Sequence, residues 1–337
     1  VTALLFDLNG FFVRDLPYSF SRSWVLNDYG SCEWKMPIKD FSSAFEFGSY
    51  VVVQHPTLGD WGGVIDEPRE WGNDGMVTIK AYSAEYMLQF RRGDAEQTIG
   101  GSSGVIFNSL IQIANSKYPT LIRGNSIYYG GDTLAQLVNV TDIYSQIQQL
   151  AKDSGHDWHI YPVISRNLLA FKADWFKRRG VKISDPNVIL IPGKNVEVNS
   201  PALIEQGKIY NDYLAYGKGD TWSDRPLYFT QDRDSQSIYG VRQSPGLEVD
   251  GITTDQLSTA AQSALAKSIN PRRTFNLSVL DKDNLFTYIR LGNVLKVEMD
   301  NVGWHNGKIG TSAFVRIIGR DYDDEEHKCG IVAEEDV

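Results

Sequence analysis

The chain has 337 residues, 42% of them hydrophobic, and a formal net charge of −9 with a pI near 5.1. A length beyond the roughly 250–300 residues at which single cores split predicts several domains. The negative charge argues against a protein whose work is to grip nucleic acid, because that affinity comes mostly from neutralising phosphates. No stretch approaches the ~18 consecutive apolar residues of a membrane span, and Val1–Asp7 reads as a strand rather than a basic–apolar leader. Cys32 and Cys329 stand at opposite ends, in no CxxC or metal spacing, and are expected to be reduced, as in a cytosol.

Residues 1–92 read as β almost throughout. Strands are predicted at Ala3–Phe6, Phe11–Arg14, Ser19–Leu26, Ser31–Met36, Tyr50–Gln54, Gly62–Asp66 and Val77–Tyr82, with turns at Asn9-Gly10, Gly59-Asp60 and Asn73–Gly75. Alternation in the last strand sets Val77, Ile79 and Ala81 against Thr78, Lys80 and Tyr82, as in a wall buried on one side. Residues 93–185 read as an α+β domain. Ser102 or Ser103 is placed to cap a helix with apolar Ile106, Leu110, Ile113 and Ala114; a second helix over Asp142–Lys152 stops at Gly155, and a hairpin joins His156–Val163 to Leu168–Lys172.

From Asn187 the pattern returns to β, with strands predicted at Val188–Ile191, Asn195–Asn199 and Asn211–Tyr216. Thr253–Gln256 forms a capping box before a helix whose stripe is Leu257, Ala260, Ala261, Ala264 and Leu265. The last β segment holds Thr274–Leu280, Val294–Met299, Gly307–Gly310 and Ala313–Gly319, with Lys296, Glu298 and Asp300 on a polar face. The predicted division is a first β-barrel domain over 1–92, the α+β domain over 93–185, a second barrel over 186–224 and 274–337, and a helix-containing insertion over 225–273. The fold class is mainly β with α+β insertions.

Two distant stretches read as copies of one β unit. Phe47–Val53, Gly63–Asp66 and Val77–Tyr82 are echoed by Leu291–Val297, Gly307–Gly310 and Val315–Arg320, and Gly48 to Gly63 matches Gly292 to Gly307 in spacing. Two copies are too few for a solenoid and point instead to two similar barrels. In this alignment the copies differ most at the last turn, Glu67–Gly75, which is longer in the first.

Chemistry-bearing patterns are weak. Gly100–Gly104 matches a G-x-S-x-G elbow around Ser102, but the polar lead-in Asp94–Gln97 is not a buried strand. His156 and His159, three apart on a strand, point to opposite faces and do not share a metal easily. Glu325–Cys329 lies on a charged run, and Asp281–Asn284 starts like a calcium loop but fails at Leu285 and Phe286. Asp66, Glu67 and Glu70 read as solvated carboxylates, and Trp24, Trp34, Trp61 and Trp71 as core or subunit interface. Trp175–Arg179 reads as an exposed tip or interface anchor. No catalytic, cofactor-binding or metal-ligating residues are assigned.

The order of these elements resembles the tail-hub (baseplate-hub) family of tailed bacteriophages, of the long-tailed non-contractile type. The resemblance is carried by Trp61–Pro68, Val77–Ser83, Tyr86–Leu88 with Arg91-Arg92, Leu150–Trp158, Ile289–Val294 and Val315–Tyr322. It implies a non-enzymatic homotrimeric ring in the virion, assembled in the host cytoplasm. Two barrels per chain would match a six-fold tail tube to a three-fold tip. The implied partners are a distal tail or tube ring, a tip or fibre protein and the tape-measure protein, with DNA passing the lumen without specific binding. The competing readings are a tail-associated cell-wall-degrading enzyme and a carbohydrate-binding receptor-recognition module.

Overall fold

The computed structural model describes residues 1–93, 96–131, 133–138, 141–199, 202–219, 221–249, 254–305 and 308–336. They form two compact units, Val1–Ala202 with Asn276–Val337, and Leu203–Phe275.

The first unit begins with seven strands, β1 (Thr2–Phe6), β2 (Phe12–Leu16), β3 (Phe20–Val25), β4 (Ser31–Pro37), β5 (Tyr50–Gln54), β6 (Trp61–Trp71) and β7 (Met76–Ser83). A short 3-10 helix, Ala84–Phe90, leads into β8 (Gln97–Ser102), α1 (Ser103–Ser116), β9 (Ile122–Ile127), β10 (Thr133–Val138), α2 (Ile143–Ser154), β11 (Asp157–Ser165), β12 (Leu168–Phe176) and β13 (Ile189–Leu190). Then come β14 (Ala202–Gln206), β15 (Asp212–Tyr216), β16 (Leu227–Gln231), α3 (Arg233–Tyr239), β17 (Leu247–Glu248), α4 (Thr254–Ala266) and β18 (Arg272–Leu280). The chain closes with β19 (Val294–His305), β20 (Lys308–Asp323) and β21 (Lys328–Glu335).

The protein is mainly β, as its alternating patterns predict. The two separate barrels are not formed: among the described residues, strands from both ends of the chain join one sheet that does not close. Its order is β14-β18-β21-β20-β3-β4-β7-β6-β5-β1-β2, with β19 beside β20 and β13 beside β19. The reason lies in β20. At 16 residues and ~3.3 Å per residue it spans about 50 Å, too long for one small barrel wall. Its first part pairs with β19, from Lys308↔His305 to Arg316↔Val294, and its last part with β3, Gly319↔Val25 to Asp323↔Ser21. A bulge between Ile317 and Gly319 marks the change of direction.

The α+β segment forms as its local signals predict. Asp142 accepts from Ser145 N–H at 2.7 Å to cap α2, and Gly155 ends that helix in the left-handed region, φ 68°. The expected cap on α1 is not made: Ser102 occupies the cap position without a side-chain bond to the helix. β11 and β12 pair from Asp157↔Phe176 to Ser165↔Leu168. Ile106, Phe107, Leu110, Ile143, Ile147, Trp158, Phe171 and Trp175 share one core with Phe6, Val52 and Leu88. Helices and hairpin therefore bury their apolar faces against the sheet, and Trp158 is only 1% exposed.

In the second unit β15 lies between β16 and β17. Leu257 and Ala261 of α4 pack on Ala215, Tyr228 and Leu247, and the small alanines permit close approach of helix and sheet. Thr253 of the predicted capping box lies outside the described residues. Helix α3, capped by Asp232 on Ser235 N–H, was not foreseen.

Candidate assembly surfaces

Backbone pairing defines the repeat more closely than the glycines do. In the first copy Tyr50 pairs with Val64, Ile65 with Ala81, and Gly48 N–H donates to Ile65 O at 2.9 Å. In the second, Val294 pairs with Arg316, Ile317 with Ala333, and Gly292 N–H donates to Ile317 O at 2.8 Å. Both glycines are left-handed, φ 94° and 85°. Ile65 N–H and Ile317 N–H return bonds to Ser49 O and Asn293 O. Gly63 thus corresponds to Val315, which corrects the glycine-based alignment; Gly307 lies outside the described residues.

A further correction follows. The stretches Val64–Ser83 and Arg316–Glu335 are of equal length, so the copies do not differ most at the last turn. They differ at the first hairpin, where β19 and β20 extend to the pair His305↔Lys308 while β5 and β6 stop at Val53↔Trp61. Gly63 is glycine for a local reason: a Cβ there would lie 2.0 Å from Tyr82 O.

On its outer side the second copy meets the first. Arg22 of β3, 2% exposed, donates through both Nη atoms to Asp324 at 3.0 and 3.1 Å, and Phe20 N–H joins them. Arg320 donates to Ile289 O and Leu58 O, and its guanidinium lies 4.2 Å from the centre of the Trp24 ring. Burial pulls this guanidinium down to about 9, which leaves it charged at neutral pH. Asp157 gathers Asn27, Arg179 N–H and Arg316 at the same seam. Pairing at this seam is therefore both backbone ladder and buried charge.

The corresponding part of the first copy has no such neighbour. β6 pairs with β5 only at residues 61–64 and with β7 as far as Trp71↔Val77. Among the described residues no strand lies beside its outer half, where Glu67, Pro68 and Glu70 are exposed and Trp71 is 54% exposed. Behind it, Arg69 donates to Phe45 O and stacks on Phe41 and Phe47.

The polar strand faces are held by their own ion pairs. Lys80 lies 3.5 Å from Glu33 and 3.4 Å from Glu70, and Lys296 bridges to Glu298. Leu295, Val297 and Met299 are buried on the other side of β19.

The weak chemical motifs resolve into packing. Ser103, not Ser102, meets a histidine: its Oγ lies 2.7 Å from His156 Nδ1 and accepts from Trp175 Nε1 at 3.1 Å. Ser103 is 1% exposed, so this pair links α1 to the hairpin beneath the surface. The sequence signal that could have found it was the serine beside the motif serine. His159 faces elsewhere, with Nδ1 3.1 Å from Glu85 Oε1, which also accepts Ile160 N–H. Ser83 donates to the other carboxylate oxygen at 2.6 Å. Burial favours the neutral acid at Glu85, but the bonds from His159, Ser83 and Ile160 outweigh it and hold the carboxyl below its ordinary range. Burial, with the field of Arg179, holds His159 below its own ordinary value against the opposing pull of Glu85.

Trp175 is 1% exposed, so Trp175–Arg179 is not an exposed aromatic tip; Arg178 pairs with Asp336 and Arg179 turns toward Asp157. Asp281 caps a turn by accepting Phe286 N–H, and Lys328 bridges to Glu197. Trp24, Trp34 and Trp61 are buried and Trp71 is exposed. Cys32 and Cys329 are free and buried, and burial pushes the Cys329 thiol up to about 12. Among the described residues, no helix is long and apolar enough to cross a membrane.

Neither a protein-family model nor a curated protein matches the sequence. Solved structures do. The prophage tail protein gp18 from Listeria monocytogenes aligns over 100% of this chain and 95% of its own, with TM-score 0.66 and 15% identity. The fold is that of phage tail proteins. The 43 kDa tail protein of prophage MuSo2 from Shewanella oneidensis aligns over 99% of this chain and 98% of its own, with TM-score 0.65 and 11% identity. A tail protein from Neisseria meningitidis covers 99% and 96%, with TM-score 0.65 and 12% identity. The tail-protein fold thus extends over the whole chain, both copies of the β unit included.

Proposed function

We propose that the chain is a structural tail hub: a homotrimeric ring in the virion, joining a six-fold tail tube to a three-fold tip. The observation that carries this reading is the duplicated β unit, Gly48–Ser83 and Gly292–Glu335, with matching hydrogen bonds at Gly48 and Gly292. Three chains, each presenting two similar units, supply six similar positions to a six-fold neighbour and keep three-fold symmetry themselves. The tail-protein fold supports the placement in a phage tail or baseplate. The partners in this reading are a distal tail or tube ring on one side, a tip or fibre protein on the other, and the tape-measure protein within.

DNA would pass through the lumen without binding, and the net charge of −9 suits that, because like charge keeps the polyanion from adhering. The role requires no catalysis: the contacts do the work. The test is particle mass and negative-stain imaging of purified chain under assembly conditions. Three-fold rings are expected, and a strictly monomeric protein would remove the reading.

A further inference from the structure

The loop between β5 and β6 is tied down by the side chain of its own first residue. His55 Nδ1 accepts from Thr57 N–H at 3.2 Å and from Leu58 N–H at 3.1 Å, and the Thr57 hydroxyl lies 3.2 Å away. Two N–H donors on one ring nitrogen require that nitrogen to carry no proton, so the imidazole that holds this loop is neutral. Leu58 is buried, and its N–H would be left without an acceptor if the ring nitrogen were taken from it.

The same loop is a fastening point of the seam between the two β units. Arg320 of β20 is buried and donates to Leu58 O at 2.6 Å and to Ile289 O, which ties the first unit to the second. The His55 ring stands edge-on to the Tyr322 ring of β20, with centres 5.0 Å apart, and the Tyr322 hydroxyl lies 3.4 Å from His327 Nδ1. The charges that act on His55 are Arg22 on β3, Arg320 on β20, Asp324 on the turn after β20, and the Val1 amine before β1. Asp324 is already engaged by both Nη atoms of Arg22. A proton on His55 therefore acts twice: it removes the acceptor of two backbone N–H groups, and it sets a further cation among arginines. Burial first, and then Arg22, hold the ring below its ordinary value.

We infer that His55 is an acid-sensitive latch on the seam: by taking up a proton at Nδ1 it lets go of Thr57 and Leu58, and the loop that Arg320 grips comes away. The latched ring binds its proton less readily than a released one, so the closed form loses ground as pH falls through the histidine range. The joint between the two units is then firm at neutral pH and yields in acid. The latch belongs to the single chain and does not depend on the ring reading.

Two native cysteines report on the seam without added probes. Cys32, Arg22, Tyr322 and Cys329 stand opposite one another on β4, β3, β20 and β21, and both thiols are buried. Their reaction with dithiodipyridine, which proceeds in acid, is followed from about pH 7 to about pH 5 and divided by the rate of a small free thiol. Far-UV circular dichroism at each pH checks that the chain stays folded. His55→Asn puts an amide oxygen, which does not titrate, in place of Nδ1, while His159→Gln and His327→Asn remove two other histidines. Labelling is expected to be several times faster at the acid end in the wild type and in the two control variants, and to be independent of pH in His55→Asn. Hydrogen-exchange protection of residues 55–60 in the wild type, which needs no variant to fold, should fall over the same range. A labelling rate or a protection that does not change with pH in the wild type would overturn the inference. So would a rise that persists in His55→Asn, or one that comes only with loss of the dichroism signal.

Discussion

The outer edges of the two β units invite a direct comparison. At the second unit β3 lies along β20, and Arg22, Asp324, Arg320 and Trp24 are sealed beneath it. At the first, the same stretch of strand ends in Glu67, Glu70 and Trp71, open to solvent. Local sequence does not explain the difference, since both edges are charged. What differs is that β3 lies beside β20, whereas no strand lies beside the outer half of β6 among the described residues. One seam is therefore closed within the chain, while the other edge is open among the described residues.

The largest effect expected from disturbing this comparison is at the closed seam. Arg22→Ala leaves Asp324 buried without its cation and should cost about 3–5 kcal/mol, read as a shift in the urea midpoint. Next come the paired glycines. Alanine at either left-handed position costs about 1–3 kcal/mol, with Gly292→Ala the worse. A Cβ at Gly292 would meet the rigid Arg179 carbonyl at 2.3 Å, whereas one at Gly48 would meet the movable tip of Leu8 at 2.7 Å. Equal destabilisation would mean that the two turns are not distinguished by their surroundings.

The polar link between the sheet and the α+β segment should respond to acid. His159 titrates below its ordinary 6.5 and Glu85 below its ordinary 4.5. In both cases the unfolded chain binds the proton first, so stability falls as pH falls. The His159 contribution is lost as pH drops below ~6.5 and that of Glu85 below ~4.3. Thermal melts between pH 7 and 5 should show a falling Tm in the wild type and a flatter profile in His159→Gln. The smallest effect on the isolated chain belongs to the open edge: Glu67→Lys, at an exposed side chain, should change its stability by no more than about 0.5 kcal/mol in the same urea titration.

Much of the α+β segment was legible because its signals are local. Asp142 and Gly155 bracket α2 within a dozen residues, and the alternation in β11 places Trp158 inward. The duplication was legible too, but its alignment was not. Glycine spacing suggested Gly63 with Gly307, whereas backbone pairing matches Gly63 to Val315. The glycine records one close approach to the Tyr82 carbonyl, not a feature of the repeat. Separate barrels were expected because each unit alternates like a self-contained wall. The merger depends on β20 reaching β3 from some three hundred residues away, and no local pattern encodes that contact. Ser103 with His156 was hidden for the same reason, since the two meet only once the hairpin packs on α1.

The proposed three-fold ring is tested most directly by the mass of the purified wild-type particle under assembly conditions, with negative-stain images of the same sample. A species of three times 37.9 kDa with three-fold rings is expected. A single species at the mass of one chain, with no rings at any protein concentration, would contradict it.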